Sequence, residues 1–413
     1  MEEKSAEILD LASQAGHILL ENGAEIARVE ETMERIATHY GEEKENFFVL
    51  SNGIFTTGKS YANVEFIPIK GARLDKVVEV NRLSREIAED KYTLEEARTR
   101  LDSIKTMPPK PLWEQILGAA LGSGGFCAIF GGSLPDCAAA LAAGTAVYLS
   151  LILLLSPKLS KALANVCAGA IGTAICILMG MAWSGLHIGN IMIGTMIPLI
   201  PGVAFTNGLR DIAGEDYIAG ITRLLDAVMV FLCIAIGVCV TFVAHSFIAG
   251  GMIQLEGTLT DPFTAHLPIQ LAAALIGTAS FAIIFGSPRR YCLQAGAVGM
   301  FGWLAYLLSV RYTPLGVVGA TFIAATIVAI LSRRCAIWFK CPSTVFLICG
   351  IFPLIPGAGV FWSSYFIVSG QMRASLTTGL TAIGVTIAIV FGIIIAANLK
   401  IASKRKSTLS CPK

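Results

Sequence analysis

Apolar positions recur at helical spacing twice near the start of the chain: Ile8, Leu11, Ala15 and Leu19, then Ile26, Val29, Met33 and Ile36, with Gly23 and Gly41 as punctuation. That period predicts amphipathic helices over 3–22 and 24–40. The pattern then changes to aromatic and β-branched runs over 46–57 and 61–69, with Gly58-Lys59-Ser60 between them, which predicts a β-hairpin. Helical spacing returns over 74–88 and 94–104, and Met107-Pro108-Pro109-Lys110-Pro111 reads as a stiff linker. Residues 1–111 are therefore expected to form a small α+β domain.

Beyond the linker polar positions become rare. Ten apolar runs are long enough to cross a hydrocarbon core of roughly 30 Å as helices. They are 112–132, 135–155, 162–183, 188–208, 223–247, 266–287, 293–310, 314–332, 344–368 and 375–398. Composition sharpens the contrast. Of 60 charged side chains, 36 fall in residues 1–112 (15 basic, 21 acidic) and 24 in the other 301 (16 basic, 8 acidic). The net charge of +2 is thus the sum of −6 and +8 and describes neither part. No clustered basic surface with aromatic partners points to nucleic acid. Met1-Glu2-Glu3-Lys4 opens an acidic amphipathic helix rather than a secretory signal, so the first domain is expected in the cytosol.

With that end inside, the inner loops and tail hold 14 basic residues, including Lys158, Lys161, Arg210, Arg223, Arg289 and Arg290. The outer loops hold 2, Arg311 and Arg373. This bias gives an even span count with both termini cytosolic. A shift of 155 residues superposes Gln115 on Gln270, Gly122 on Gly277, Phe126 on Phe281 and Ile129-Phe130-Gly131 on Ile284-Phe285-Gly286. The same shift lays Pro198-Leu199-Ile200-Pro201-Gly202 on Pro353-Leu354-Ile355-Pro356-Gly357. A repeat of five spans enters the bilayer from opposite sides, which predicts two five-helix inverted repeats, 112–250 and 262–400, followed by a basic tail, 401–413. That is an architecture of secondary transporters.

The chemistry available is sparse. Pro198, Pro201 and Gly202, and their mates Pro353, Pro356 and Gly357, should break spans four and nine. Each break starts a half-helix, near Val203 and Ala358, whose dipole favours an anionic group, though a plain structural kink is the competing reading. No acidic residue follows Asp261, so a proton-coupling carboxylate must come from the first half. Asp226, inside span five, is the first candidate and a local pair with Arg223 the competing reading; Asp211, beside Arg210, is the second. His187 and His245 lie near outer ends of spans. Most of the eleven cysteines sit in apolar runs, no CxxC occurs, and Cys335 and Cys341 have no neighbouring His, so neither a metal nor a cofactor is expected. Signatures of hydrolases, metalloproteases and nucleotide-driven pumps are missing, which argues against an enzyme.

The chain resembles the bacterial threonine/serine exporter family. The resemblance rests on Gly23-Ala24-Glu25-Ile26-Ala27-Arg28-Val29-Glu30 and on Pro198–Gly202 with Asn207, Arg210, Asp211, Asp216, Gly220, Arg223 and Asp226. The second break, Pro353 to Gly357, completes it, and nearly the whole chain is covered. It implies a fused form of proteins that also occur as separate long and short chains. It further implies export of threonine and serine across the bacterial cell membrane, driven by protons. Asn207 and the two breaks would meet substrate, and Arg210, Asp211, Asp216, Arg223 and Asp226 would gate or couple. Split-chain relatives linked to dicarboxylate (succinate) export supply the alternative. Scarce cations in the spans favour a zwitterion, and a homo-oligomer is left open.

Overall fold

Four helices and a small sheet make up the first quarter of the chain: α1 (Glu2–Glu21), α2 (Ile26–His39), β1 (Phe47–Leu50), β2 (Gly53–Thr57), β3 (Ala62–Phe66), α3 (Leu74–Ala88) and α4 (Leu94–Lys105). The structure is a computed structural model and describes residues 2–42, 47–58, 61–68, 71–251, 253, 255 and 266–399. Lys59-Ser60 of the expected turn, Glu256, Asp261 and the basic tail from Lys400 lie outside the described residues.

The helices follow the apolar period. Leu11, Leu19, Met33, Val77, Leu83 and Leu101 bury against one another in a core of their own, and α4 opens on a reciprocal cap between Thr93 and Glu96. The expected hairpin forms between β2 and β3, and β1 adds a third strand, giving an antiparallel meander in the order β1-β2-β3. Ser51-Asn52 turns the chain inside the run 46–57, so that Leu50 faces Gly53. Ser-Asn-Gly is a tight-turn sequence, and twelve residues exceed an ordinary strand of roughly 5–6.

The rest is helical: α5 (Leu112–Ile129), α6 (Leu134–Ser150, extended by a wider turn over Leu151–Leu155), α7 (Lys161–Ala182), α8 (Ile188–Met196), α9 (Gly202–Ala213), α10 (Tyr217–Ala249), α11 (Leu267–Ile284), α12 (Arg289–Tyr312), α13 (Gly316–Phe339), α14 (Thr344–Ile351), α15 (Gly357–Val368) and α16 (Met372–Asn398). Among the described residues, eight spans are long and apolar enough to cross a membrane, nine if α8 and α9, bent by 68° at their break, count as one. The chain is a multi-pass membrane protein. The remaining expected span, 112–132, coincides with α5, a helix of 18 residues that carries Glu114, Gln115 and four glycines and falls short of the same apolarity.

The broken spans occupy the middle of the bundle. In the span α14–α15, 72% of the most apolar stretch is buried inside the protein, against 33–44% for the seven unbroken spans. In α8, every residue from Gly189 to Met196 is buried.

Contacts recur at the 155-residue offset. The Tyr148 hydroxyl donates to Gln115 Oε1 at 3.0 Å, and the Trp303 indole N–H donates to Gln270 Oε1 at 2.9 Å. Phe281 lies against Gly122, and Phe126 against Gly277. The N-terminal layer sits on one end of the bundle: the Leu74 and Asp75 N–H groups that open α3 donate to the carbonyls of Phe285 and Gly286 at 3.1 and 3.0 Å.

Candidate functional site

Both PLIPG segments break their helices in the same way. A 3-10 turn (Ile197–Leu199, Phe352–Leu354) leads to an extended isoleucine, with ψ 129° at Ile200 and 132° at Ile355. Proline follows, and the new helix starts at the glycine. The glycines are required by close approach: a Cβ at Gly202 would collide with the Phe352 ring, and one at Gly357 with Ile200. The two breaks therefore pack on each other. Phe352 also stacks on Phe281 at 4.2 Å and 20°.

The starts of the two half-helices differ in what they face. At α15, Gly357 borders a pocket of about 30 Å3 walled by Met196, Ile200, Phe231 and Phe361, roughly one water's share of liquid volume. At α9, Pro201, Val203 and Ala204 border a cavity of about 580 Å3 that continues under the N-terminal layer to Gly23, Ser51 and Asn52. Small-molecule sites commonly enclose about 300–1,000 Å3.

One turn further along α9, the polar side chains meet the corner between α1 and α2. Gly23 has φ +83°, a left-handed turn that ends α1, with Ala24 N–H donating back to Leu19 O at 2.9 Å. This turn points two carbonyls at the membrane part. Gly23 O accepts Asn207 Nδ2 at 2.7 Å, and Ala24 O accepts Arg223 Nη2 at 3.0 Å. Arg223 Nη1 donates to Asp211 Oδ2 at 2.7 Å, and Asp211 Oδ1 accepts the Ile26 N–H at 3.2 Å. Arg210 pairs with Glu25 and donates to Thr344 Oγ1 at 2.7 Å and Ser343 Oγ at 3.0 Å. The two motifs Gly23–Arg28 and Asn207–Arg223 thus form one interface, and α14 joins it.

Asp226 departs from its expected surroundings. It pairs with Lys161 on α7, at 2.6 and 2.8 Å to its two oxygens, rather than with Arg223, and both partners are about half exposed at the edge of the cavity. Asp216 accepts the Ala219 N–H at 3.2 Å and caps α10. Pro353 is buried in its 3-10 turn. The structure therefore brings Pro201, Asn207, Arg223 and Asp226 to one cavity and leaves Pro353, Pro356 and Gly357 outside it. Nothing in the sequence alone marks Glu25 and Lys161 as site residues: Glu25 stands inside the motif that carries the resemblance, and Lys161 reads as a loop charge. At the opposite end of the bundle, buried Asp136 accepts the His187 N–H at 2.8 Å and contacts its Nδ1 at 2.9 Å.

A family model described as "Putative threonine/serine exporter" matches residues 10–244, and one described as "Threonine/Serine exporter, ThrE" matches 270–399. The chain belongs to the threonine/serine exporter family. It is 23% identical over 407 residues to the "Probable threonine/serine exporter" of Mycobacterium tuberculosis, covering 95% of this chain and 76% of that protein. It is also 23% identical over 410 residues to the "Threonine/serine exporter" of Corynebacterium glutamicum, covering 94% and 82%. No solved structure matches significantly. Family membership makes the chain a transporter and not an enzyme. In the exporter fold the first matched segment contains both the Gly23–Arg28 corner and α9–α10, and the second contains Thr344.

Proposed function

We propose that the chain is a secondary exporter of threonine, serine and similar small zwitterionic amino acids in the bacterial cell membrane, with the N-terminal layer and both termini in the cytosol. Two five-helix inverted repeats carry the transport cycle, with α5 as the first of ten spans. The observation that carries this reading is the pair of identical breaks, packed on each other, of which one opens on a large cavity and the other on a pocket of about 30 Å3. Alternating access exchanges those two situations. The reciprocal Phe126–Gly277 and Phe281–Gly122 contacts support a two-fold relation between the halves.

Export against a gradient needs an energy source, and protons are the one proposed. Of the two candidate carboxylates, Asp211 suits coupling better than Asp226. It lies on the broken span itself, is buried, and contacts both Arg223 and the N-terminal layer, so a change at the break changes its partners. Asp226 is half exposed and held by Lys161.

The test is counterflow in proteoliposomes with labelled threonine, serine and succinate. Exchange of threonine or serine and none of succinate is expected; exchange of succinate alone would replace this reading by the dicarboxylate one. Asp211→Asn, combined with Arg223→Gln so that no buried charge is left unpaired, should keep counterflow and lose accumulation under an imposed pH gradient. Accumulation equal to that of the unmodified protein moves coupling elsewhere.

A further inference from the structure

The cavity beneath the N-terminal layer has features that packing alone does not call for. Asn207 is only 2% exposed, and its Oδ1 has no hydrogen-bond partner. The orientation of the amide follows from its other end: Gly23 O can only accept, so the Asn207 nitrogen faces it and the oxygen is the end left without a partner, in a residue that lines the cavity. An acceptor buried without a partner is unfavourable, so a ligand donor reaching it would relieve that penalty. The first turn of α9 (Val203, Ala204) lines the same cavity, and the leading N–H groups of a helix favour an anion. The Asp226 carboxylate, paired with Lys161, completes the wall.

We propose that this cavity is the loading site for a zwitterionic α-amino acid, roofed by the N-terminal layer: the first turn of α9 receives the carboxylate, while Asn207 Oδ1 and Asp226 receive the ammonium. This rests on the exporter reading and specifies where and how its substrate binds. The charge balance selects the substrate class. Among the described residues the charged side chains lining the cavity are Lys161, Arg223 and Asp226, and Arg223 is committed to Asp211 and Ala24 O. Lys161 and Asp226 cancel, so a net-neutral ligand with one charge of each sign fits, whereas a dicarboxylate would bring its second negative charge against Asp226. The roof is part of the site. Gly23, Ser51 and Asn52 belong to the N-terminal layer, so a chain without that layer would lack half the walls and the carbonyl that orients Asn207.

The experiment measures binding of labelled L-threonine to the purified full chain in nanodiscs, alongside counterflow. Asp226→Asn and Asn207→Ala should each weaken threonine binding at least tenfold, and Asp226→Glu should restore most of it. Threonine amide, which lacks the carboxylate, and succinate should compete at least tenfold more weakly than serine. Thermal unfolding in detergent verifies that each variant is folded; Asp226 is half exposed, so its neutralisation leaves the fold intact. Threonine binding unchanged in both variants, with normal counterflow by the unmodified protein, overturns the loading site and leaves the exporter reading standing. Absence of threonine and serine counterflow by the unmodified protein overturns the exporter reading itself.

Discussion

Arg223 and Asp211 have side chains only 4% and 2% exposed and lie 2.7 Å apart. Removing one partner of a buried pair leaves an uncompensated charge and typically costs about 3–5 kcal/mol, whereas replacing both with apolar groups is often neutral. Arg223→Met should therefore lower the unfolding midpoint sharply in detergent, and Arg223→Met combined with Asp211→Leu should recover most of the loss. A single variant as stable as the parent would mean that the pair is not buried in the membrane-embedded protein. A second residue-scale prediction concerns Glu30 on α2. Burial raises its carboxyl above the usual value of 4.5; the Val49 N–H opposes the shift, and Asp216 and Glu34 reinforce it. A raised carboxyl holds its proton more tightly folded than unfolded, so stability falls as pH rises from the ordinary carboxylate value through the raised one. Glu30→Gln should stabilise the chain at neutral pH and give no gain at pH below the carboxylate range, read as melting temperature against pH. At this scale the sequence identified Asp211, Arg223 and Asp226 as candidates, but it could not pair them. Arg223 is three residues from Asp226 along the helix, yet it binds Asp211, because burial favours the partner already excluded from water.

At the scale of elements, the breaks at Pro198–Gly202 and Pro353–Gly357 could be read from the chain because proline acts locally: it removes a donor and clashes with the preceding turn wherever it stands. The bend of 68° and the collision course between the breaks required the fold. Replacing Pro198 and Pro201 by Ala while keeping Gly202 should straighten the span, leave membrane insertion intact and abolish counterflow; normal counterflow would reduce the break to a kink. Gly202→Ala alone should cost about 1–3 kcal/mol by overpacking against Phe352, a loss that thermal unfolding would register. The sheet gives the opposite lesson. Its composition and the β2–β3 hairpin are legible, but the turn inside 46–57 is not, so the third strand of the meander comes only from the fold.

At the scale of the molecule, the acidic N-terminal layer is fastened to a basic end of the bundle. Glu25 grips Arg210, Glu79 lies 4.0 Å from Arg290, and the opening of α3 is held by Phe285 and Gly286. Glu25→Ala removes the carboxylate partner of the partly buried Arg210 and should loosen the α1–α2 corner, seen as faster amide hydrogen exchange over 20–30 with the rest of the bundle unchanged. Exchange rates equal to the parent's would show that the layer is held elsewhere. Reporter fusions at the two termini should both read as cytosolic, in keeping with the 14 to 2 distribution of basic residues between the segments expected inside and those expected outside. A terminus on the outer side would overturn the inverted-repeat reading as well.

What the chain determined by itself are the properties that depend on near neighbours or on simple counting. Helical period, apolar run length, the two proline breaks, the 155-residue offset and the asymmetry of charge all sit in consecutive residues or in their totals. The tertiary structure decided what depends on segments distant in sequence. Asn207 meets Gly23 across 184 residues, and Arg210 meets Thr344 across 134. Asp226 finds Lys161 rather than its helical neighbour, and one break opens while its copy is filled. These pairings follow from which polar groups lose water when the helices pack, and no local pattern encodes that loss because each partner looks solvated until the other arrives.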